Sequence, residues 1–172
     1  MVKLKIPKEC INKGFLDSRF GRHSSEILNG IPQRSFPLEW WDYPGVTKSF
    51  SVIFIDYDNY MEEGFPWLHW CVANIPVEIN SLDENCSLFI NDIDSRIIQG
   101  KNSWISCLPK YNLECNRYGG PSPESFSHEY TIVILALNSF LDLKDGFYYN
   151  DFIKAINCKL LDAGVIQVKY MA

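Results

Sequence analysis

A chain of 172 residues with 47% hydrophobic and 22% charged side chains can bury a sizeable core and is too apolar to stay disordered. Aromatic residues reach 15%, which favours strands and a core of flat rings over a helix bundle. A net charge of −5 excludes a bulk basic field for nucleic acid or an anionic bilayer, so any anion site must come from local donors.

Residues 1–6 alternate, with Val2, Leu4 and Ile6 apolar, and read as a strand rather than a signal peptide. Residues 49–57 (SFSVIFIDY) and 67–75 (WLHWCVANI) are rich in β-branched and aromatic side chains and read as two more strands. The stretch 76–127 is turn-rich and weakly periodic, with 87–90 and 104–108 as its candidate strands. Such irregular stretches in a compact domain are more often functional than idle. Residues 129–137 (EYTIVILAL) form a near-continuous apolar run, the pattern of a strand that is central or buried on both faces. A helix is expected next, with Asn150 as N-cap, Asp151 at its dipole, and Gly164 as its stop. Phe152, Ile153, Ile156 and Leu160 share its apolar face, which suits packing on a sandwich edge. Residues 165–171 close the chain as a strand.

There is no internal repeat or linker, so residues 1–172 are expected to form one domain. No apolar run approaches the roughly 20 residues of a membrane span, and no stable membrane insertion is expected. The six cysteines include no C-x-x-C pair, and neither Cys nor His occurs at ligand-pair spacing. Reduced thiols, a cytoplasmic location, and no metal or cofactor are the expectations.

Few residues could carry chemistry. The histidines are His23, His69 and His128. Strand alternation places Trp67, His69 and Cys71 on one face, with Leu68, Trp70 and Val72 on the other. His128 directly precedes the strand 129–137. A histidine in a strand can be a satisfied structural residue or a binding group, and the residues alone leave both open. Asp56 and Asp58 follow an apolar strand, where aspartates are either turn formers or site residues. Gly119 and Gly120 make either a tight turn or a pair of backbone amides freed to converge on an oxyanion.

The combination is more informative. Phe54-Ile55-Asp56-Tyr57-Asp58, Trp67-Leu68-His69-Trp70-Cys71-Val72-Ala73-Asn74-Ile75-Pro76, Tyr118-Gly119-Gly120-Pro121-Ser122-Pro123 and His128-Glu129-Tyr130 follow one another in that order. They resemble the phosphatidylethanolamine-binding protein family, in its bacterial, Raf kinase inhibitor-like type. That family carries D-P-D-x-P, W-x-H-W-x-x-x-N-I-P, G-G-P-x-P-P and H-R-Y segments, and often an L-x-W where Leu38-Glu39-Trp40 stands here. The resemblance implies a mainly β fold, a two-sheet antiparallel β-sandwich with the C-terminal helix at its periphery. It implies a pocket for anionic or phosphorylated groups lined by Asp56, Trp67, His69, Gly120, Pro121, His128 and Tyr130, with kinases or proteases as possible protein partners. Asp56 then serves best by holding an imidazole in one tautomer. Tyr57 and Tyr60 replace the family's prolines, so the bond after Asp56 is either cis or the loop takes another path. Glu129 replaces Arg, and alternation from His128 turns it away from the pocket.

A non-catalytic binding module is thus the leading expectation. A small hydrolase using Asp56, His69 and Cys71 is an alternative, although there is no G-x-S-x-G elbow and Ser122 sits between prolines. An interaction protein with a vestigial pocket is the other.

Overall fold

The computed structural model describes residues 1–172. Its strands are β1 (Lys3–Lys5), β2 (Ile11–Asn12), β3 (Phe15–Leu16), β4 (Ile27–Leu28), β5 (Ile31–Pro32) and β6 (Leu38–Trp41). After them come β7 (Ser49–Asp56), β8 (Trp67–Pro76), β9 (Ser81–Leu82), β10 (Ile98–Gln99), β11 (His128–Leu137) and β12 (Leu160–Tyr170). Short helices α1 (Tyr60–Glu63), α2 (Ile90–Ile93) and α3 (Tyr149–Ala155) interrupt them. One sheet has the order β10-β8-β7-β11-β12-β3-β2 and a smaller one β1-β6-β9, so the expected two-sheet sandwich is present. The pairing is antiparallel throughout, except for a single parallel junction between β12 and β3. No helix is long and apolar enough to cross a membrane.

Strand β7 lies in the middle of the large sheet and is buried at every position, which its unbroken apolar run requires. Its even-numbered residues Phe50, Val52 and Phe54 face the smaller sheet, where Leu4, Leu38 and Trp40 complete the main core. Its odd-numbered Ile53 and Ile55 join Leu68, Leu137 and Phe152 in a second cluster on the outer face, capped by α3. Burying each such side chain contributes about 1.5–3 kcal/mol, so pairing that satisfies both faces at once outweighs local propensity. Strand β11 is central as expected, between β7 and β12, but Glu129, Thr131 and Val133 are only half-buried.

That competition explains the corrections. The C-terminal helix is one short element that ends at Ala155, with Tyr148 rather than Asn150 at its N-cap. Leu160 to Gly164 are not helical: they pair with residues 134–137 of β11, and the long ladder wins over helical periodicity. Gly164 is therefore not a helix stop. A side chain there would strike the Val2 carbonyl at 2.2 Å, so glycine is needed where the N-terminal segment crosses β12. The candidate strands at 87–90 and 104–108 are helical turns instead, Cys86–Leu88 with α2 and Ser103–Ser106.

Candidate functional site

The site sits at one end of the three adjacent strands β8, β7 and β11. Asp56, the last residue of β7, lies opposite both Trp67 and Tyr130 in the ladder. His128 is two residues before Tyr130, hence on the same face. A β-bulge delivers His69: pairing passes from Phe54–Trp70 to Ile55–Leu68 and leaves His69 as the extra residue. The bulge rephases the strand, so His69 and Trp70 both face inward while Leu68 and Cys71 face the outer cluster. The alternation expected from sequence, with Cys71 sharing a face with His69, fails for this reason. Burial also pushes the Cys71 thiol well up, so it is not a nucleophile beside His69.

Both imidazoles are anchored through Nδ1. His128 Nδ1 donates to Asp56 Oδ2 at 2.7 Å, while Asp56 Oδ1 accepts the Asn59 amide at 3.1 Å. His69 Nδ1 donates to the Gly119 carbonyl at 2.5 Å. A carbonyl can only accept, so the hydrogen of the neutral His69 ring is on Nδ1 and its Nε2 carries a lone pair. Burial lowers the His69 pKa to about 4, against the opposing pull of Asp56 and the Gly119 carbonyl, so this ring is neutral at pH 7. The Nε2 atoms of both rings are buried without a hydrogen-bond partner. Buried polar atoms are rarely left so, and here these two and Trp104 Nε1 belong to residues that line one cavity. Tyr130 completes the floor, its hydroxyl held protonated by burial and by Asp56 beside it.

The cavity is an open pocket of about 240 Å³. Trp67 and Trp104 form an aromatic wall, their rings 5.5 Å apart edge to face. The rim carries Glu62 and Glu63 from α1 and Glu124 from the loop after Pro123; no Lys or Arg lines the pocket. No group of three or more His, Cys, Asp or Glu side chains is arranged to hold a metal ion.

Of the residues singled out in the sequence, Asp56, Trp67, His69, His128 and Tyr130 come together, and Gly120 and Pro121 do not line the pocket. The expected pair of free glycine amides is absent. Gly119 N donates to the His69 carbonyl and Gly120 N to the Pro32 carbonyl, each at 2.8 Å. Glycine is needed there for close packing. A Cβ at Gly119 would lie 2.6 Å from Trp104 Cδ1, and one at Gly120 2.4 Å from the Phe20 carbonyl oxygen. Asp58 accepts the Glu129 amide at 2.8 Å, and Glu129 is outside the pocket as alternation requires. The chain has no cis peptide bond, so the loop after Asp56 takes another path and exposes Tyr57. Sequence reasoning missed Glu62, Glu63, Trp104 and Glu124. The only signal was that Trp104 and Glu124 fall in the long irregular stretch.

An antiparallel sandwich whose strand ends carry an anchored pair of imidazoles over an open pocket defines a class of small binding proteins. The family model for phosphatidylethanolamine-binding protein matches residues 7–171, and the chain belongs to that family. It is 34% identical over 151 residues to the YxkA protein of Bacillus subtilis (strain 168), covering 86% of this chain and 88% of that one. A UPF0098 protein of Methanothermobacter thermautotrophicus is 30% identical over 125 residues, 73% of this chain and 74% of its own. Among solved structures, Escherichia coli YbcL matches with a TM-score of 0.78 at 20% identity, covering 99% and 98% of the two chains. The CT736 homolog of Chlamydia trachomatis matches at 0.75 and 21%, covering 99% and 97%. At that identity these two structures speak to the fold alone.

Proposed function

We propose that the pocket binds a small phosphate-bearing group that also carries an amine, such as a phospholipid head group, without transforming it. The observation behind this reading is the pair of buried, partnerless Nε2 atoms facing one cavity. A phosphate monoanion matches them. Its hydroxyl can donate to the lone pair of neutral His69, and a second proton on His128, balanced by Asp56, can donate to a phosphate oxygen. The carboxylate rim opposes a bare dianion and favours a ligand with its own ammonium group. Exposed Tyr57, Tyr60, Met61 and Phe65 around α1 support a ligand group presented by something larger. A partner protein of the kinase or protease class and a cytoplasmic location belong to the same reading; the six free cysteines support the latter. Membership of a family of binding proteins, and a Cys71 buried on the opposite face of the sheet from His69 with its thiol pushed up by that burial, support the absence of catalysis.

Calorimetric titration with phosphoethanolamine, inorganic phosphate and ethanolamine tests it. Phosphoethanolamine should bind most tightly, and His128→Ala should abolish its heat. Absence of heat with all three ligands, or tightest binding by ethanolamine, would overturn it.

A further inference from the structure

We infer that Glu62 is a built-in counter-anion for His128, lying where a ligand anion has to go; this rests on the reading of the pocket as an anion site. Glu62 Oε1 is 3.6 Å from His128 Nε2, too far for a hydrogen bond but within ion-pair distance. The same oxygen accepts the Ser125 amide at 3.3 Å, so the carboxylate spans the mouth from α1 to the loop that follows Pro123. The His128 side chain is 1% exposed and that of Glu62 20%, so solvent screens the pair only in part.

The position of α1 is not incidental. Asn59, just before it, donates its amide to Asp56 Oδ1, and its side-chain amide donates to the Phe65 carbonyl at 2.9 Å. The carboxylate that orients His128 thus also anchors the segment that carries Glu62. Two carboxylates therefore face the ring from opposite edges, Asp56 on β7 at Nδ1 and Glu62 on α1 at Nε2. The other titratable neighbours do not share this place. Glu63, Glu124 and Cys107 line the pocket without an ion-pair contact to His128, Asp58 is spent on the Glu129 amide, Glu129 lies outside the pocket, His69 is neutral, and Tyr130 is protonated.

An entering phosphate needs the Nε2 edge that Glu62 faces, and two anions repel strongly at such a distance. The ligand must displace Glu62, and an amine on the ligand gives the displaced carboxylate a new partner. Glu62 is on this account the specificity-determining residue of the pocket. It disfavours inorganic phosphate and spares an amine-bearing phosphate.

The test uses the full chain with Glu62→Gln, and Glu78→Gln, exposed and outside the pocket, as control. In ligand-free protein at fixed pH, imidazole 15N spectra should show the His128 Nε2 resonance displaced in Glu62→Gln and unmoved in Glu78→Gln. Affinity for inorganic phosphate should rise about tenfold in Glu62→Gln, and the preference for phosphoethanolamine should shrink. Unchanged 15N shifts, or unchanged phosphate affinity with phosphate bound, overturn the inference. A spectral change with no phosphate bound by either protein would instead sink the anion-site reading and leave Glu62 as a structural ion pair.

Discussion

The floor and the rim of the pocket are built by opposite means. The floor residues Asp56, His69, His128 and Tyr130 sit on long strands in the middle of the large sheet, and each is buried. Asp56 and Tyr130 are paired with a strand on each side and His128 with β12, while the bulged His69 and His128 are each held through Nδ1. The rim is a four-residue helix and an irregular loop, joined across the mouth by one 3.3 Å hydrogen bond. The comparison teaches that this protein holds the ring atoms of its pocket floor rigidly and carries the acidic rim on segments that can change at little cost to the fold.

If that contrast is right, floor substitutions should damage stability and rim substitutions should not. The largest effect is expected for Asp56→Ala, which strips His128 Nδ1 and the Asn59 amide of their acceptor within the buried floor. Loss of about 4 kcal/mol in urea unfolding is expected, and a loss near zero would mean the Asp56–His128 pair does not order the floor. Next comes pH. The folded pKa of His69 is depressed to about 4 from an ordinary 6.5, so the unfolded chain binds the extra proton first as pH falls. Stability from this ring is complete above about pH 6.5 and drains away toward pH 4, by about 3 kcal/mol. His69→Asn should remove that part of the acid slope, and an identical slope in the variant would show that the ring is not buried neutral.

Gly120→Ala is smaller. Its Cβ meets the Phe20 carbonyl oxygen at 2.4 Å, and a backbone neighbour cannot yield as a side chain can. A cost of about 2 kcal/mol in thermal or urea unfolding is expected. At the other extreme, Glu124→Gln on the rim should change stability by less than about 0.5 kcal/mol while altering ligand preference. A rim variant that unfolds the protein would erase the distinction between the two regions.

The sequence announced the floor far better than the rim, for a physical reason. Strand residues obey a period of two and carry apolar neighbours that mark them, which located the strands; Asp56, Trp67, His69, His128 and Tyr130 were singled out on them by the resemblance of four ordered motifs to a known family. The bulge at His69 was not, because an extra residue leaves no trace in composition; it alone moved Cys71 to the far side of the sheet. Glu62 and Glu63 look in the sequence like any solvated pair of acids. Their role comes from where the turn after Asp56 carries them, and that turn departs from the family pattern at Tyr57 and Tyr60. The helix over 150–164 failed for a related reason: its apolar spacing was genuine, but β11 offered Leu160 to Gly164 a longer ladder.

The claim on which all of this stands is that two imidazole edges face one ligand. Titrating the protein with phosphoethanolamine while following the ring nitrogens by 15N NMR tests it most directly. Joint movement of the Nε2 resonances of His69 and His128 with a single dissociation constant, and none at His23, is the predicted result. Movement of one ring only, or of His23 instead, would contradict it.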